Sequence, residues 1–348
     1  MQNTTKSEPQ IFQAAFIATT IFCFIATFII SFGNFALLYA LYKNLKYDPR
    51  NPSLPLYINL IFSDFLTGFV VGSLTTADAY IDVFGKNSVA LDSCLFLFGG
   101  LLMFVNNLTI TSISVLRLIA VVKPLLYRCS ITAKRIRLLI VFIWLFSFLI
   151  CLLPAFRLPQ WIVILIYSHS HATIPIVILT SVYLVILRSL KKQRRYFLNM
   201  HERMEDTMLK KRIERDHSLI VTIAMVLVLF CLSSFPFVIG VHVLTYIQNC
   251  DNCLSEFAMR MITSGIYFSG RCVLLNSALD PFLLTVRMPK IREAVRKTYA
   301  RHLCLFSKSM VLPQPKKVAI QSSNDKQETA AVVLQKVHDI VNVTVHDQ

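Results

Sequence analysis

The sequence is poor in charged residues. Asp, Glu, Lys and Arg account for 16% of its 348 residues, whereas 55% are hydrophobic. A typical soluble domain has about 25% charged residues, so a soluble chain of this length would expose far more charge. The composition therefore excludes a soluble globular protein and indicates a chain that crosses a membrane several times.

Seven apolar stretches are each long enough to cross about 30 Å of hydrocarbon. They fall near 12–42, 54–79, 91–123, 135–156, 161–190, 217–247 and 257–286. They predict an all-α fold, a seven-transmembrane helix bundle that occupies residues 12–286. The basic segment PKIREAVRKTYARHLC predicts a short amphipathic eighth helix over 287–304 on the inner leaflet, and the polar residues 305–348 predict a disordered cytosolic tail.

Basic residues are unevenly distributed among the connections between these stretches. One set of connections contains the basic runs 188–215 and 287–301, whereas the other set contains mostly aspartate. By the positive-inside rule, residues 1–11 lie outside and the C-terminus lies in the cytosol, as in a multi-pass protein of the plasma membrane. The net charge of +16 is explained by loops that face anionic membrane lipid, so nucleic acid is not an expected partner.

This orientation predicts three covalent modifications. Asn3 begins an Asn-Thr-Thr sequon on the outer side, where glycosylation takes place. Cys250 and Cys253 lie in the third extracellular connection, an oxidising compartment, and are expected to form a disulfide with each other. Cys304 follows the amphipathic segment and is a candidate for palmitoylation, with a plain free thiol as the alternative.

Polar residues are rare inside the apolar stretches, and those present lie at similar depth. Asp64 belongs to the second stretch, Asn106 to the third, and Asn276, Ser277 and Asp280 to the seventh. Intramembrane polar residues usually face the bundle interior and pair with one another, so these side chains predict one hydrated cluster. Two carboxylates favour a bound cation such as Na+ or a shared proton, and the alternative is hydrogen bonding between helices alone.

Short motifs occur in a fixed order along the seven stretches. They are Gly33-Asn34, Asn59-Leu60 with Asp64, Arg117 seven residues before Pro124, Trp144, Pro175 with Tyr183, FCLSSFP at 230–236 and NSALDPFLL at 276–284. In this order and spacing the chain resembles the rhodopsin-like G-protein-coupled receptors across all seven helices. The resemblance implies a ligand-activated receptor that couples to heterotrimeric G proteins and has a sodium-and-water site at the Asp64 cluster. The implied activation-switch residues are Arg117, Tyr183, Asp216, Phe230, Pro236 and Pro281.

The chain departs from this family pattern at several switch positions. Leu116-Arg117-Leu118 stands where the family has Asp-Arg-Tyr, so the acidic neighbour of Arg117 is missing. Asp216, at the start of the sixth stretch, is the predicted replacement partner. Ser234 replaces the Trp of the sixth helix, and Leu284 replaces the Tyr of the seventh. Without these restraints the receptor is expected to be constitutively active or to signal poorly.

The extracellular connections indicate a branch of the family. The second connection is short and lacks cysteine, and Asp92 occupies the position of the usual cysteine of the third helix. Together with the cysteine pair of the third connection, these features resemble the melanocortin and adenosine receptor branch.

The sequence also lacks the residues that two ligand classes require. Gly99 stands where aminergic receptors carry an Asp, and no Lys between 257 and 286 could form a retinal Schiff base. The expected ligand is therefore a non-aminergic, non-retinal small molecule or peptide. The pocket residues expected by family position are Leu74, Thr75, Asp78, Met103, Phe104, Tyr167, Ser168, His171, Phe237, Val238, Val241, Gly270 and Leu274.

Three further residues near this pocket carry ionisable groups. Arg271 in the seventh stretch is expected to pair internally with Asp78 or Asp64, and the alternative is that it anchors an anionic ligand. His169 and His171 are two residues apart and face different sides of a helix, so the pair by itself does not predict a metal site.

A transporter or channel is the alternative function, with Asp64 and Asp280 as its ion path. Transporters are often built from internal repeats, but this chain shows no repeat and seven helices do not divide into equal halves. The helices contain no His/Glu metal motif and no nucleophile–base pair, so the sequence indicates neither an enzyme nor a cofactor besides the candidate Na+.

Overall fold

The computed structural model describes residues 8–44, 52–156, 159–199, 206–248 and 255–310. Within these ranges it contains helices and turns but no strand, and this confirms the predicted all-α bundle. The helices are α1 Glu8–Asn44, α2 Leu54–Val83, α3 Val89–Val122, α4 Ala133–Cys151, α5 at 160–199, α6 Asp206–Gln248, α7 in two segments Glu256–Cys272 and Leu274–Arg287, and α8 Pro289–Met310. Contacts divide the chain into a unit Met1–Tyr299, which holds the bundle, and a second unit Ala300–Gln348.

Two helix ends lie beyond the predicted segments. The apolar span of α1 begins at Phe12, at the predicted start of the first stretch, and the helix itself begins about one turn earlier at Glu8, because Glu8 and Pro9 both suit the first turn of a helix. Helix α8 continues to Met310, so residues 305–310 are helical and do not belong to the tail. The apolar spacing that begins at Ile291 continues as far as Leu305 and Phe306, which accounts for the extra turns. Asn3 and residues 311–348 lie outside the described residues.

Within the described residues, five helices are long and apolar enough to cross a membrane by length and composition alone. They contain the spans Phe12–Asn44, Leu54–Val83, Val89–Val122, Ile162–Gln193 and Leu227–Ile247. Helix α4 begins with the basic residues Lys134, Arg135 and Arg137, and α7 is divided at Val273. The charges at the start of α4, and the division of α7 into segments of 17 and 14 residues, distinguish these two helices from the other five.

The bundle exposes large apolar side chains on its outside and buries several polar side chains among the apolar ones of its interior. On α1 the side chains of Phe24 and Phe32 are 63% and 60% exposed, while Asn34 is completely buried. Aromatic rings on the outside suit contact with lipid, whereas polar side chains in a membrane protein usually face the interior.

Helices α1 and α2 approach closely at two glycines. A Cβ atom on Gly68 would lie 2.7 Å from the backbone nitrogen of Ser31, and one on Gly72 would lie 2.5 Å from Oγ1 of Thr27. Both glycines belong to a π-helical segment of α2, Thr67–Gly72. The spacing of four residues puts both on one side of α2, as in the small-residue interfaces of other membrane helices.

A polar chain joins α2, α3 and α4. Trp144 donates from Nε1 to Oδ1 of Asn59 over 2.9 Å, and Asn59 donates from Nδ2 to Oγ1 of Thr109 over 2.9 Å. Asn59 and Trp144 are therefore packing residues of the bundle.

Helix α8 is held against α1 on its Pro289–Tyr299 part. Asn44 donates to the carbonyl of Ala294 over 3.2 Å and to the hydroxyl of Thr298. Tyr299 donates to the carbonyl of Ala36 over 3.1 Å. Ile291, Ala294 and Thr298 are buried, so the apolar face of this helix is directed toward the bundle, as its amphipathic sequence predicts.

Candidate functional site

Asn106 of α3 is the centre of the predicted polar cluster. Its Nδ2 donates to Oδ1 of Asp64 over 2.9 Å, to Oγ1 of Thr67 over 3.3 Å and to Oγ of Ser277 over 3.3 Å. Ser63 donates to Oδ1 of the same amide. One side chain thus joins α2, α3 and α7 at the depth that the sequence predicts.

Pro281 removes one backbone hydrogen bond from α7. A proline has no backbone N–H, so the carbonyl four residues earlier, that of Ser277, loses its helical partner. Asn34 of α1 donates to this carbonyl over 3.2 Å. The proline therefore leaves the carbonyl of Ser277 without a helical donor, and the buried amide of Asn34 on α1 donates to it instead.

Asp280 brings a second carboxyl group to Asp64. Both carboxyl groups line the same cavity and lie close enough for their charges to interact, and Asp64 is completely buried. Its Oδ2 has no hydrogen-bond partner in the described part of the chain. Two close carboxyl groups cannot both ionise without compensation, so this geometry suits a shared proton or a small cation. Asn276 instead accepts from Ser233 of α6 over 2.9 Å, so it connects the cluster to α6.

A cavity of about 380 Å³ extends from this cluster toward the end of the bundle where α2 ends and α3 begins, which is called the upper end below. Its lining contains six of the thirteen predicted pocket residues, namely Thr75, Asp78, Met103, His171, Gly270 and Leu274, together with all five predicted cluster residues. The volume is within the range of ligand pockets, about 300–1,000 Å³. The predicted ligand pocket and the predicted ion site are thus parts of one cavity.

The other seven predicted pocket residues are absent from this lining. Leu74, Phe104, Tyr167, Ser168, Phe237, Val238 and Val241 do not line it. Phe104 packs edge-on against Tyr167 and His171, at ring-centre distances of 5.3 and 6.0 Å, so these aromatic rings support the wall from behind. The position of a residue in the family pattern indicates which turn of a helix it occupies. The packing of neighbouring rings decides whether its side chain reaches the cavity.

Arg271 lies at the upper end of the cavity and is paired internally. Its Nη2 forms an ion pair with Asp78 and lies 3.8 Å from Oδ2 of Asp82. Tyr267 donates to both carboxylates, over 3.2 Å to Asp78. The guanidinium also lies over the Tyr267 ring. Of the two predicted partners the structure selects Asp78 and not Asp64, because Arg271 lies roughly one and a half turns before Asn276 and two and a half turns before Asp280 on α7.

His171 is a buried polar group in the cavity wall. Asn107 donates from Nδ2 to the backbone carbonyl of His171 over 2.8 Å and contacts Nδ1 of the same residue. An Nδ1 that accepts a hydrogen bond places the proton on Nε2. His171 is 4% exposed and its Nε2 has no partner among the described residues. The cavity therefore contains a donor that a ligand acceptor can use.

The chain matches the family model described as 7 transmembrane receptor (rhodopsin family) over residues 33–284. The chain belongs to this receptor family. The match covers both Gly33-Asn34 and the NSALDPFLL segment, and it confirms the rhodopsin-like resemblance of the sequence. It carries no information on the melanocortin and adenosine branch.

The proteins similar to this receptor include a curated relative and a solved structure. The relative is "Rhodopsin, GQ-coupled" of Mizuhopecten yessoensis, 26% identical over 293 residues, which are 76% of this chain and 55% of the relative. The receptor thus spans about half the length of that protein. The crystal structure of squid rhodopsin has a TM-score of 0.65 at 21% identity and covers 87% of this chain and 93% of its own. This second likeness concerns the fold.

Arg117 of the receptor is held by a residue that the sequence analysis did not single out. Its Nε and Nη2 donate to the hydroxyl of Tyr57 over 3.0 and 2.7 Å, and the guanidinium lies 5.8 Å from the centre of the Tyr57 ring. Tyr57 lies seven residues before Asp64, two turns of α2 away on the same side. The sequence alone therefore indicates that Tyr57 faces the bundle interior with Asp64. Asp216 belongs to α6, but its side chain lies outside the described residues.

The other missed residues of the site follow a simple spacing. Tyr267 precedes Arg271 by four residues, and Asp82 follows Asp78 by four. Side chains at this spacing lie on one side of a helix, so both pairs could have been found from the sequence.

The remaining switch residues are distributed along the helices. Tyr183 packs beside the buried residues Val182 and Ile186 of α5. Phe230 is buried, and Pro236 and Pro281 lie inside α6 and α7. Pro175 follows a π-helical segment of α5, His169–Thr173, where the wider turn relieves the clash that a proline ring causes in an α-helix.

The side chains of the predicted modification sites lie outside the described residues. Cys250 and Cys253 lie outside the described residues, as does the side chain of Cys304. Cys94, two residues beyond the usual disulfide position, is a free thiol.

Proposed function

We propose that the chain is a plasma-membrane receptor that transmits an extracellular ligand signal to heterotrimeric G proteins, with its N-terminus outside and its C-terminus in the cytosol. The observation that carries this proposal is the continuous cavity that joins the predicted pocket to the Asp64 and Asp280 cluster. A ligand in the upper cavity changes the contacts of α3 and α7, and the same two helices hold the cluster. Binding and helix rearrangement are therefore coupled through shared residues.

The charge of the lining limits the ligand. Asp64, Asp78, Asp92 and Asp280 line the cavity with one cation, Arg271. Because Arg271 is already paired with Asp78, the excess of carboxylates favours a ligand with a positive group near the cavity mouth and an acceptor for Nε2 of His171. Gly99, at the position of the aminergic Asp, also lines the cavity and offers no carboxylate. The positive group of the ligand therefore meets Asp78 on α2 and Asp92 at the start of α3.

The lining is incompatible with a covalently bound retinal. A Schiff base needs a lysine amine, and α7 contains no lysine between residues 256 and 287. The ligand of this receptor is therefore non-covalent. The melanocortin and adenosine branch rests on the loop cysteines and on Asp92 and remains part of this proposal.

The cluster is the proposed Na+ site. Asp64 and Asp280 supply the charge, and the hydroxyl of Ser277 and the carbonyl oxygen of Asn106 lie in the same network. Hard oxygen ligands suit an alkali cation, and the free Oδ2 of Asp64 is the first ligand. The alternative is a proton shared by the two carboxyl groups.

Nucleotide exchange on a purified G protein tests the proposed function. The receptor is placed in lipid nanodiscs with a Gq heterotrimer, the class named for the molluscan relative, followed by the other classes. Binding of GTPγS should rise above that of empty nanodiscs, and cationic candidate ligands should raise it further. The variant Arg117→Ala should return it to the level of empty nanodiscs, because Arg117 lies at the cytosolic end of α3.

Electrical recording separates the receptor from the transporter or channel. The same protein in a planar bilayer, without any G protein, should pass no current in Na+ gradients. A current that Asp64→Asn abolishes, together with absent nucleotide exchange for every G-protein class, would overturn the proposal.

A further inference from the structure

Two histidines of neighbouring helices face each other outside the cavity. His169 lies in the π-helical segment of α5, and His242 lies near the end of α6. Their ring centres are 5.1 Å apart with an angle of 50° between the ring planes. Neither ring lines the cavity, and both side chains are exposed.

The separation of the rings is that of two imidazoles on one metal ion. A Zn–N bond is about 2.0–2.1 Å long, and a ring nitrogen lies about 1.1–1.2 Å from the ring centre, so each centre is roughly 3.2 Å from the metal. At a tetrahedral angle the two centres are then roughly 5.2 Å apart. The observed 5.1 Å matches this separation.

The hydrogen bond of His169 prepares the ring for this role. Nδ1 of His169 lies 3.2 Å from Oγ1 of Thr173. When Nδ1–H donates to this hydroxyl, the lone pair is on Nε2. Histidines that bind metals usually donate their other ring N–H in this way, which fixes the tautomer and the ring orientation.

The π-helical turn separates this pair from the pocket histidine. His171 is buried and lines the cavity, whereas His169 points to α6, which packs against this turn. His242 lies six residues before the end of α6, about 9 Å along the axis. The pair therefore lies near one end of the bundle, and a hydrated ion can reach it without entering the pocket.

We propose that His169 and His242 form a binding site for a borderline transition-metal ion, Zn2+ or Cu2+, that bridges α5 and α6. Imidazole nitrogen is a ligand for these ions, whereas Ca2+ and Mg2+ prefer oxygen. Water completes the coordination. The bridge cross-links the two helices at their present separation.

Electron paramagnetic resonance of bound Cu2+ tests the site directly. The full-length protein in nanodiscs receives one equivalent of Cu2+, and the wild type should show hyperfine coupling to two imidazole nitrogens. His169→Asn or His242→Gln should each reduce the coupling to one nitrogen or none. The double variant should show no nitrogen coupling from this pair, because both imidazoles are gone. It also reports the background from the remaining histidines.

Zn2+ competition gives the affinities. Either single substitution should weaken Zn2+ binding roughly 100-fold, and Thr173→Val should weaken it roughly tenfold, as the loss of an outer-shell partner does. Ca2+ and Mg2+ should not compete. Circular dichroism and monodispersity of each variant show that the bundle is folded.

Two outcomes would overturn the site. One is a single-nitrogen spectrum in the folded wild type, and the other is Zn2+ affinity that neither histidine substitution changes. These measurements use no G protein and no organic ligand, so failure of the proposed signalling function leaves the metal site testable, and the reverse also holds.

Discussion

The hydroxyl of Tyr57 should restrain Arg117 in the resting receptor. Arg117 donates twice to this oxygen, and Tyr57 is only 3% exposed. Because Leu116 replaces the usual acidic neighbour, Tyr57 is the partner that the structure provides. We expect Tyr57→Phe to release Arg117 and to raise ligand-independent signalling.

The magnitude follows from the two hydrogen bonds. A hydrogen bond to a charged group contributes about 1.5–3 kcal/mol, and water replaces part of this at a half-buried guanidinium. A net loss of about 1.4 kcal/mol from the resting state shifts the ratio of active to resting receptor about tenfold. Basal nucleotide exchange should rise by a similar factor while the active fraction is small.

The assay is GTPγS exchange without ligand at matched receptor amounts. Tyr39→Phe is the matched control, because Lys43 donates to the Tyr39 hydroxyl over 3.5 Å on the exposed side of α1. This control makes the same substitution at a tyrosine that contacts a different cation, away from Arg117, and it should leave basal exchange unchanged.

The double variant with Asp216→Asn separates the two candidate partners. If both restrain Arg117, each single variant raises basal exchange and the double variant raises it further. Basal exchange in Tyr57→Phe equal to that of the parent would refute the restraint by Tyr57, and the same result for Asp216→Asn would refute the restraint predicted from the sequence.

Three further predictions concern the ion site, the disulfide and the packing of α1 and α2. Na+ in place of choline should raise the melting temperature of the receptor, as a ligand of the folded state does, and Asp64→Asn should abolish this rise; full Na+ sensitivity in the variant would contradict the site. Mass mapping of unreduced peptides should find Cys250 linked to Cys253, and two free thiols would disprove the disulfide. Gly68→Ala should destabilise the bundle by roughly 1–3 kcal/mol through overpacking, whereas Gly265→Ala, with no atom within 4 Å of the added Cβ, should leave the melting temperature unchanged; equal melting temperatures for both would contradict the close contact.

The helix count and the polar cluster could be predicted from the sequence because both follow from the membrane as a solvent. Lipid requires long apolar helices with internally bonded backbones, and it directs polar side chains such as Asp64, Asn106 and Asp280 to the interior. These rules need only the order of residues along the chain.

The helix ends were harder to predict. The apolar content of α1 begins later than the helix, since Glu8 and Pro9 suit a first turn but not a membrane. Helix α8 extends past residue 304 because its spacing of apolar residues continues. Both differences arise because hydrophobicity locates the bilayer, whereas a helix continues as far as its backbone hydrogen bonds.

The partners of the charged groups were decided by the tertiary structure. The sequence offered Asp78 and Asp64 to Arg271 without deciding between them, and it offered Asp216 to Arg117 without indicating Tyr57. Likewise, His169 and His242 are 73 residues apart, so their contact depends on how the π-helical turn of α5 rotates one ring toward α6. Spacing along a helix determines which side a residue faces, whereas the distance between two side chains on different helices depends on helix rotation and axial position, which the packing of the whole bundle sets.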